Sequence, residues 1–146
     1  MKKNPILFWT FLLVGSTLVA QTDLTGNWTG NLTQGPGGYT DDYEFELQLV
    51  QRGDQVSGRS FVKYEDIYAI MLLEGTVDEN NVLRLKETQM LKNRKHENMM
   101  WCYKTATLYF SKSGSEWILQ GTWAGKTDQG DCVPGKIYLK KAANRA

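Results

Sequence analysis

A chain of 146 residues with a formal net charge of +1 at pH 7 has no electrostatic footprint for nucleic acid or an anionic membrane surface. Its length suits one domain around one core. One histidine and two cysteines fall short of the three or four ligands that a zinc site needs, so neither metal nor cofactor is expected.

The chain opens with Lys2 and Lys3, then an apolar run over residues 6–14 holding Phe8, Trp9 and Phe11, then Leu18-Val19-Ala20. This is the three-part pattern of a secretory signal peptide over residues 1–20, with the cut between Ala20 and Gln21. A membrane anchor is the competing reading, but the run is shorter than the roughly twenty apolar residues that span a bilayer. No cysteine lies near the cut to take a lipid, and no second apolar run follows. Residues 21–146 are therefore expected to form one exported, soluble domain that spans no membrane. Its destination is the periplasm, the cell surface or the medium. Without Lys2 and Lys3 it carries one net negative charge.

Period-two alternation marks most of that domain. Residues 24–33 are the first expected strand, with Trp28 at the centre, and Gly35-Pro36-Gly37-Gly38 breaks it. Tyr43, Phe45, Leu47 and Leu49 alternate with Glu44, Glu46 and Gln48, the clearest half-buried strand. Arg52-Gly53-Asp54-Gln55 reads as its hairpin turn and residues 56–64 as the third strand. Residues 68–77 are more uniformly apolar, a strand buried on both faces or a short helix; Gly75 and Thr76 favour the strand. Asp78-Glu79-Asn80-Asn81 is a turn, and residues 82–87 are the fifth strand. Residues 88–99 are polar, carry Lys92, Arg94, Lys95 and His96, and read as a long loop or a short helix. Residues 101–110 and 117–123 make the sixth and seventh strands, with Trp117, Leu119, Gly121 and Trp123 on one face. A loop over 125–135 holds Cys132 and Pro134, and residues 136–140 close the series.

Eight short strands joined mostly by tight turns predict an all-β, up-and-down antiparallel β-barrel, because closure removes the unpaired edges of a meander. A β-sandwich is the alternative. Cys102 and Cys132, an even pair in an oxidising compartment, are expected to form a disulfide. Closing a loop of that length stabilises by about 3–4 kcal/mol.

The segment Leu24-Thr25-Gly26-Asn27-Trp28 resembles the opening strand of avidin-type proteins, and Gly26-x-Trp28 is similar to the first lipocalin motif. Gly121-Thr122-Trp123 repeats the pattern, and Val56-Ser57-Gly58 resembles the avidin third strand. The resemblance to this calycin-like group implies an eight-stranded barrel with Trp28 inside, and structural roles for Gly26, Trp28 and Gly121. It does not carry biotin chemistry across. Gly30 stands where avidins place an asparagine, Ser60 where they place a tyrosine, and Gln34 where they place a serine. The arginine that lipocalins hold near the last strand has no counterpart except Lys136, Lys140, Lys141 or Arg145.

Candidate chemistry is sparse. His96 sits in a polar stretch, and adjacent acids such as Asp41-Asp42 or Glu65-Asp66 point to opposite faces of a strand rather than forming a glycosidase pair. Arg52-Gly53-Asp54 is accounted for by the turn it makes. No acid–base constellation can be assembled, so the domain is expected to be no enzyme. The aromatic residues Tyr43, Phe45, Trp117 and Trp123 project with the aliphatic core positions and are the candidate ligand-binding residues, near an open end by residues 88–99. The expected function is an exported binding module for a small apolar or amphipathic ligand. The alternative is an interaction module for an envelope protein, or a barrel that inhibits a protease. The expected partners are thus a small hydrophobic or aromatic ligand or an envelope protein, and not nucleic acid.

Overall fold

The computed structural model describes residues 2–6, 15 and 22–143. The predicted cut after Ala20, most of the apolar run 6–14, and Arg145 lie outside the described residues. Among the described residues there is no helix, and the chain is a meander of β-strands. Long antiparallel strands follow one another as β1 (Gly26–Thr33), β2 (Asp42–Arg52), β3 (Gln55–Tyr64), β4 (Ile67–Val77), β5 (Val82–Arg94), β6 (Tyr103–Ser113) and β7 (Glu116–Thr127). A two-residue β8 (Gly130–Asp131) folds back on β7, and β9 (Gly135–Lys141) completes the set.

Each strand from β1 to β7 pairs with the next, and β9 lies between β7 and β1. The sheet is therefore closed. Eight long strands form the antiparallel barrel, and the sandwich alternative does not describe it. Closure gives the first and last strands partners for their outer edges. It brings Trp28 opposite Lys141 and Leu32 opposite Ile137.

Alternation puts the core inside. Leu32, Phe45, Leu47, Leu49, Met71, Leu83, Leu108, Leu119 and Leu139 are buried, while Glu44, Gln48, Arg84 and Lys86 face out. Residues 67–77 form a strand, as Gly75 and Thr76 suggested, with its inner face buried and its outer face half-buried. Glycine supplies what closure needs at the bends. A Cβ on Gly121 would lie 1.9 Å from the Thr107 carbonyl oxygen, and one on Gly30 would lie 2.0 Å from that of Tyr138.

Three boundaries differ from the sequence reading. Residues 88–94 are neither loop nor helix but the far half of β5, which reaches Arg94. They pair with β4 across two register shifts, whereas pairing with β6 stops at Lys86–Thr105. This half of β5 therefore runs past the end of its pairing with β6, held by β4 alone, and its side chains are exposed apart from the half-buried Met90. Trp101 and Cys102 precede β6 instead of beginning it. β7 runs on to Thr127, so the expected loop over 125–135 is partly a ladder with β8.

The ends of the barrel are unlike. At one end lie the short turns 53–54, 78–81 and 114–115, together with residues 22–25. Leu24 is fully buried there, and the Trp28 indole N–H donates to its carbonyl at 2.9 Å. At the other end lie the loops 34–41, 95–102 and 128–134.

Candidate functional site

Inward positions near the second end carry polar groups where alternation calls for apolar ones. On β5 the series Leu83, Leu85 continues to Glu87; on β6 the series Leu108, Ala106 continues to Lys104. These two charges meet inside the barrel. Lys104 Nζ lies 2.8 Å from Glu87 Oε1, with the side chains 7% and 4% exposed. The Lys104 backbone N–H, which the β5–β6 ladder no longer serves, donates to the same oxygen at 2.8 Å. Ser60 on β3 donates its hydroxyl hydrogen to Glu87 Oε2. Both carboxylate oxygens are thus engaged, which is what a buried ion pair needs to offset its desolvation. The ammonium also lies 5.8 Å from the centre of the Phe45 ring.

Above this pair the loops build a mouth. Asn98 adopts φ +64°, the Met99 N–H donates to the His96 carbonyl, and Lys95 Nζ donates to the Met99 carbonyl at 2.9 Å. The turn tucks Met99 and then Trp101 inward. Cys102 is bridged to Cys132, as expected, with Cα atoms 6.3 Å apart. The disulfide ties the 95–102 loop to the segment after β8, where the Cys132 N–H donates to the Gly125 carbonyl. The loop 34–41 is fixed by Gln34, whose Nε2 donates to the Val133 carbonyl at 3.0 Å. Tyr43 donates its hydroxyl hydrogen to Gln34 Oε1 at 3.1 Å, and burial pushes its pKa above the usual tyrosine value, so it remains a neutral donor.

Between these loops is a cavity of about 310 Å³ whose walls include Leu32, Tyr43, Val62, Met99, Trp101 and Trp123, with Lys104 reaching it from below. A void of about 20 Å³ continues beneath, bordered by Phe45, Ser60, Glu87 and Lys104. Three inward tryptophans can be compared. Trp28 and Trp123 give their indole N–H groups to the carbonyls of Leu24 and Thr33, at 2.9 and 2.8 Å. The buried Trp101 Nε1 has no hydrogen-bond partner among the described residues. Leaving such a donor unmet costs about 1–3 kcal/mol. A broad, shallow depression of about 840 Å³ on the outer wall is bordered by Arg84, Lys86, Thr105, Thr107, Thr122 and Lys136; outward side chains line it and no buried polar group faces it.

The expected binding residues divide. Tyr43 and Trp123 line the mouth cavity, and Phe45 borders the void under it. Trp117 lies elsewhere. It is 37% exposed at the opposite end, stacked on Phe110 at 4.8 Å and with the Lys112 ammonium 4.8 Å from its ring centre. Its parity matches Trp123, but it stands at the very start of β7, where the barrel ends. Gly26, with φ +137°, opens β1, and Trp28 fills the closed end. Ser60 belongs to the buried ion-pair network. His96 is solvent-exposed at the rim, where its Nε2 lies 3.2 Å from Asp66 Oδ1.

Sequence reasoning missed Glu87, Lys104, Met99 and Trp101. A signal for the first two was present, since each is a charged residue in phase with buried leucines of its own strand. No protein-family model, curated protein or solved structure matches the chain.

Proposed function

We propose that the chain is an exported, non-enzymatic β-barrel that binds a small apolar or amphipathic molecule in its mouth. The observation that carries this reading is the cavity of about 310 Å³, lined by Leu32, Val62, Met99, Trp101 and Trp123 with polar groups such as Tyr43 and Lys104 among them. That size lies at the lower end of small-molecule sites, and a few placed polar groups among aromatic walls are their usual construction. The disulfide and the Lys2-Lys3 start followed by an apolar run support export. Charged side chains outside and leucines inside reverse the pattern of a lipid-embedded barrel. Closure of eight strands behind Gly26-Asn27-Trp28 supports kinship with the avidin and lipocalin group.

Titration with 6-propionyl-2-dimethylaminonaphthalene tests the binding reading. Blue-shifted probe emission with quenching of tryptophan emission is the expected result; a folded protein that leaves the probe unchanged up to its solubility limit refutes it. Amino-terminal sequencing of the exported protein should begin at Gln21.

Docking on an envelope protein or a protease is the second reading. It is favoured by β5, whose residues 88–94 pair with β4 but not with β6 and leave one strand edge open beside exposed Leu91. Co-purification of one protein partner, lost on Leu91→Lys substitution, supports this second reading.

A further inference from the structure

We infer that the outer wall over β3, β4 and β5 is a docking surface for an acidic amphipathic helix of a partner protein. The surface lies outside the mouth, so this inference goes beyond the ligand reading and does not depend on it. It starts from a departure in the alternation. β1 shows Asn27, Thr29 and Asn31 on its outer face, and β7 shows Gln120 and Thr122. β4 instead places Tyr68, Ile70 and Leu72 outside, each half-buried, while Ala69, Met71 and Leu73 fill the core. An apolar run of this kind belongs to a strand covered on both faces. The described residues form one closed sheet and supply no outer layer to cover this one.

Register frames the stripe with positive charge. Leu72 stands between Arg59 and Gln89, Ile70 between Phe61 and Lys92, and Tyr68 between Lys63 and Arg94. Phe61 is half-buried on the same outer face and widens the stripe toward β3. Arg59, Lys63, Lys92 and Arg94 are exposed, and none of the four makes an ion pair among the described residues. The acids of this face lie at its margins. Glu74 follows Leu72 along β4, and Glu44 and Glu46 are one strand beyond β3, on β2.

Shape and charge together select the occupant. The rows on β3 and β5 are about 10 Å apart, twice the strand spacing, and a helix with its side chains is about 10–12 Å across. A helix laid along β4 would rest its apolar stripe on Ile70 and Leu72. Acidic residues on its two flanks would meet Arg59 and Lys63 on one side and Lys92 and Arg94 on the other. A second copy of this wall would bring the same cations against one another. An anionic bilayer would match the charge but is flat, whereas the stripe runs half-buried along a convex wall between longer side chains. A ridge of helix side chains enters that space.

The test is fluorescence anisotropy with two labelled helical peptides, one with a leucine stripe flanked by glutamates and a twin with lysines in their place. The glutamate peptide should bind the whole protein with a Kd below about 100 μM, at least about tenfold tighter than its twin. Lys92→Glu/Arg94→Glu, two exposed changes, should reverse that preference, which a loss of fold could not do. Ile70→Thr/Leu72→Thr, which puts strand-compatible residues on the outer face, should weaken the glutamate peptide by about tenfold. Urea unfolding checks that each variant is folded, and the naphthalene probe reports the mouth separately. No binding of either peptide to folded protein, or equal binding of the two, would overturn the proposal. Recruitment to vesicles of phosphatidylserine and phosphatidylcholine, lost in Ile70→Thr/Leu72→Thr, would overturn it in favour of a bilayer. A dimer in sedimentation that the same variant dissociates would overturn it in favour of a second copy.

Discussion

The closed end and the mouth of this barrel are made of the same strands and differ in how their polar groups are met. At the closed end Leu24 plugs the opening, the Trp28 N–H finds the Leu24 carbonyl, and Trp28 packs edge-on to Phe110 at 6.1 Å. At the mouth, Trp101 closes against a cavity with its N–H unmet, over a buried ion pair. One end is complete by itself. The other keeps a cavity and, among the described residues, one buried donor without a partner.

The largest expected break in that contrast is at the floor of the mouth. Glu87→Gln leaves the Lys104 ammonium buried without a counter-charge and should cost about 3–5 kcal/mol in urea unfolding. The paired replacement Glu87→Leu/Lys104→Met should lose far less than the single change, because no buried charge is left alone. Next comes the strap across the mouth: Cys102→Ser/Cys132→Ser should lower stability by about 2–4 kcal/mol. It should also speed probe release in stopped-flow fluorescence, since the 95–102 loop loses its covalent tether.

A matched pair of substitutions sharpens the comparison directly. Trp28→Phe removes a satisfied N–H, strands the Leu24 carbonyl and should cost about 2 kcal/mol. Trp101→Phe removes an unmet donor, so its loss of contact area is offset and its measured cost should be close to zero. Equal costs at the two sites would refute the difference between the ends.

The smallest effect is at a turn of the closed end. A hydrogen bond from Arg84, with backbone donors at Val82 and Asn80, holds the Asp78 carboxyl below its ordinary pKa of 3.8. A depressed folded-state value contributes stability that is present above that ordinary value and is lost as pH falls through the folded one. Asp78→Asn should therefore lower Tm slightly at pH 7, and the difference should vanish in thermal melts taken progressively below about pH 4.

The barrel was legible wherever one face is buried and the other wet. The alternation from Tyr43 to Leu49 gave β2, Arg52-Gly53-Asp54-Gln55 gave its turn, and the expectation of an oxidising compartment gave the disulfide. The far half of β5 was hidden because its side chains are exposed apart from Met90, so no apolar alternation marks it. Trp101 was hidden for a different reason. Continued as a strand from the inward Lys104, parity would turn residue 101 outward, but β6 begins at Tyr103 and the loop before it reverses the direction. Trp117 shows the converse: its parity is right, but the wall ends beside it. Parity says which way a side chain faces and not whether anything stands opposite.

One consequence of closure concerns presentation. β1 begins and β9 ends at the plugged end, where the Ala142 N–H donates to the Asn27 carbonyl at 2.7 Å. Chain leading into Gly26 and chain leaving Lys141 thus depart from the side remote from the cavity. A leader left uncut, a fusion partner or an immobilising tag at either terminus would hold the barrel by its base with the mouth turned outward. Such a tether would set how far the barrel reaches and leave its opening unobstructed.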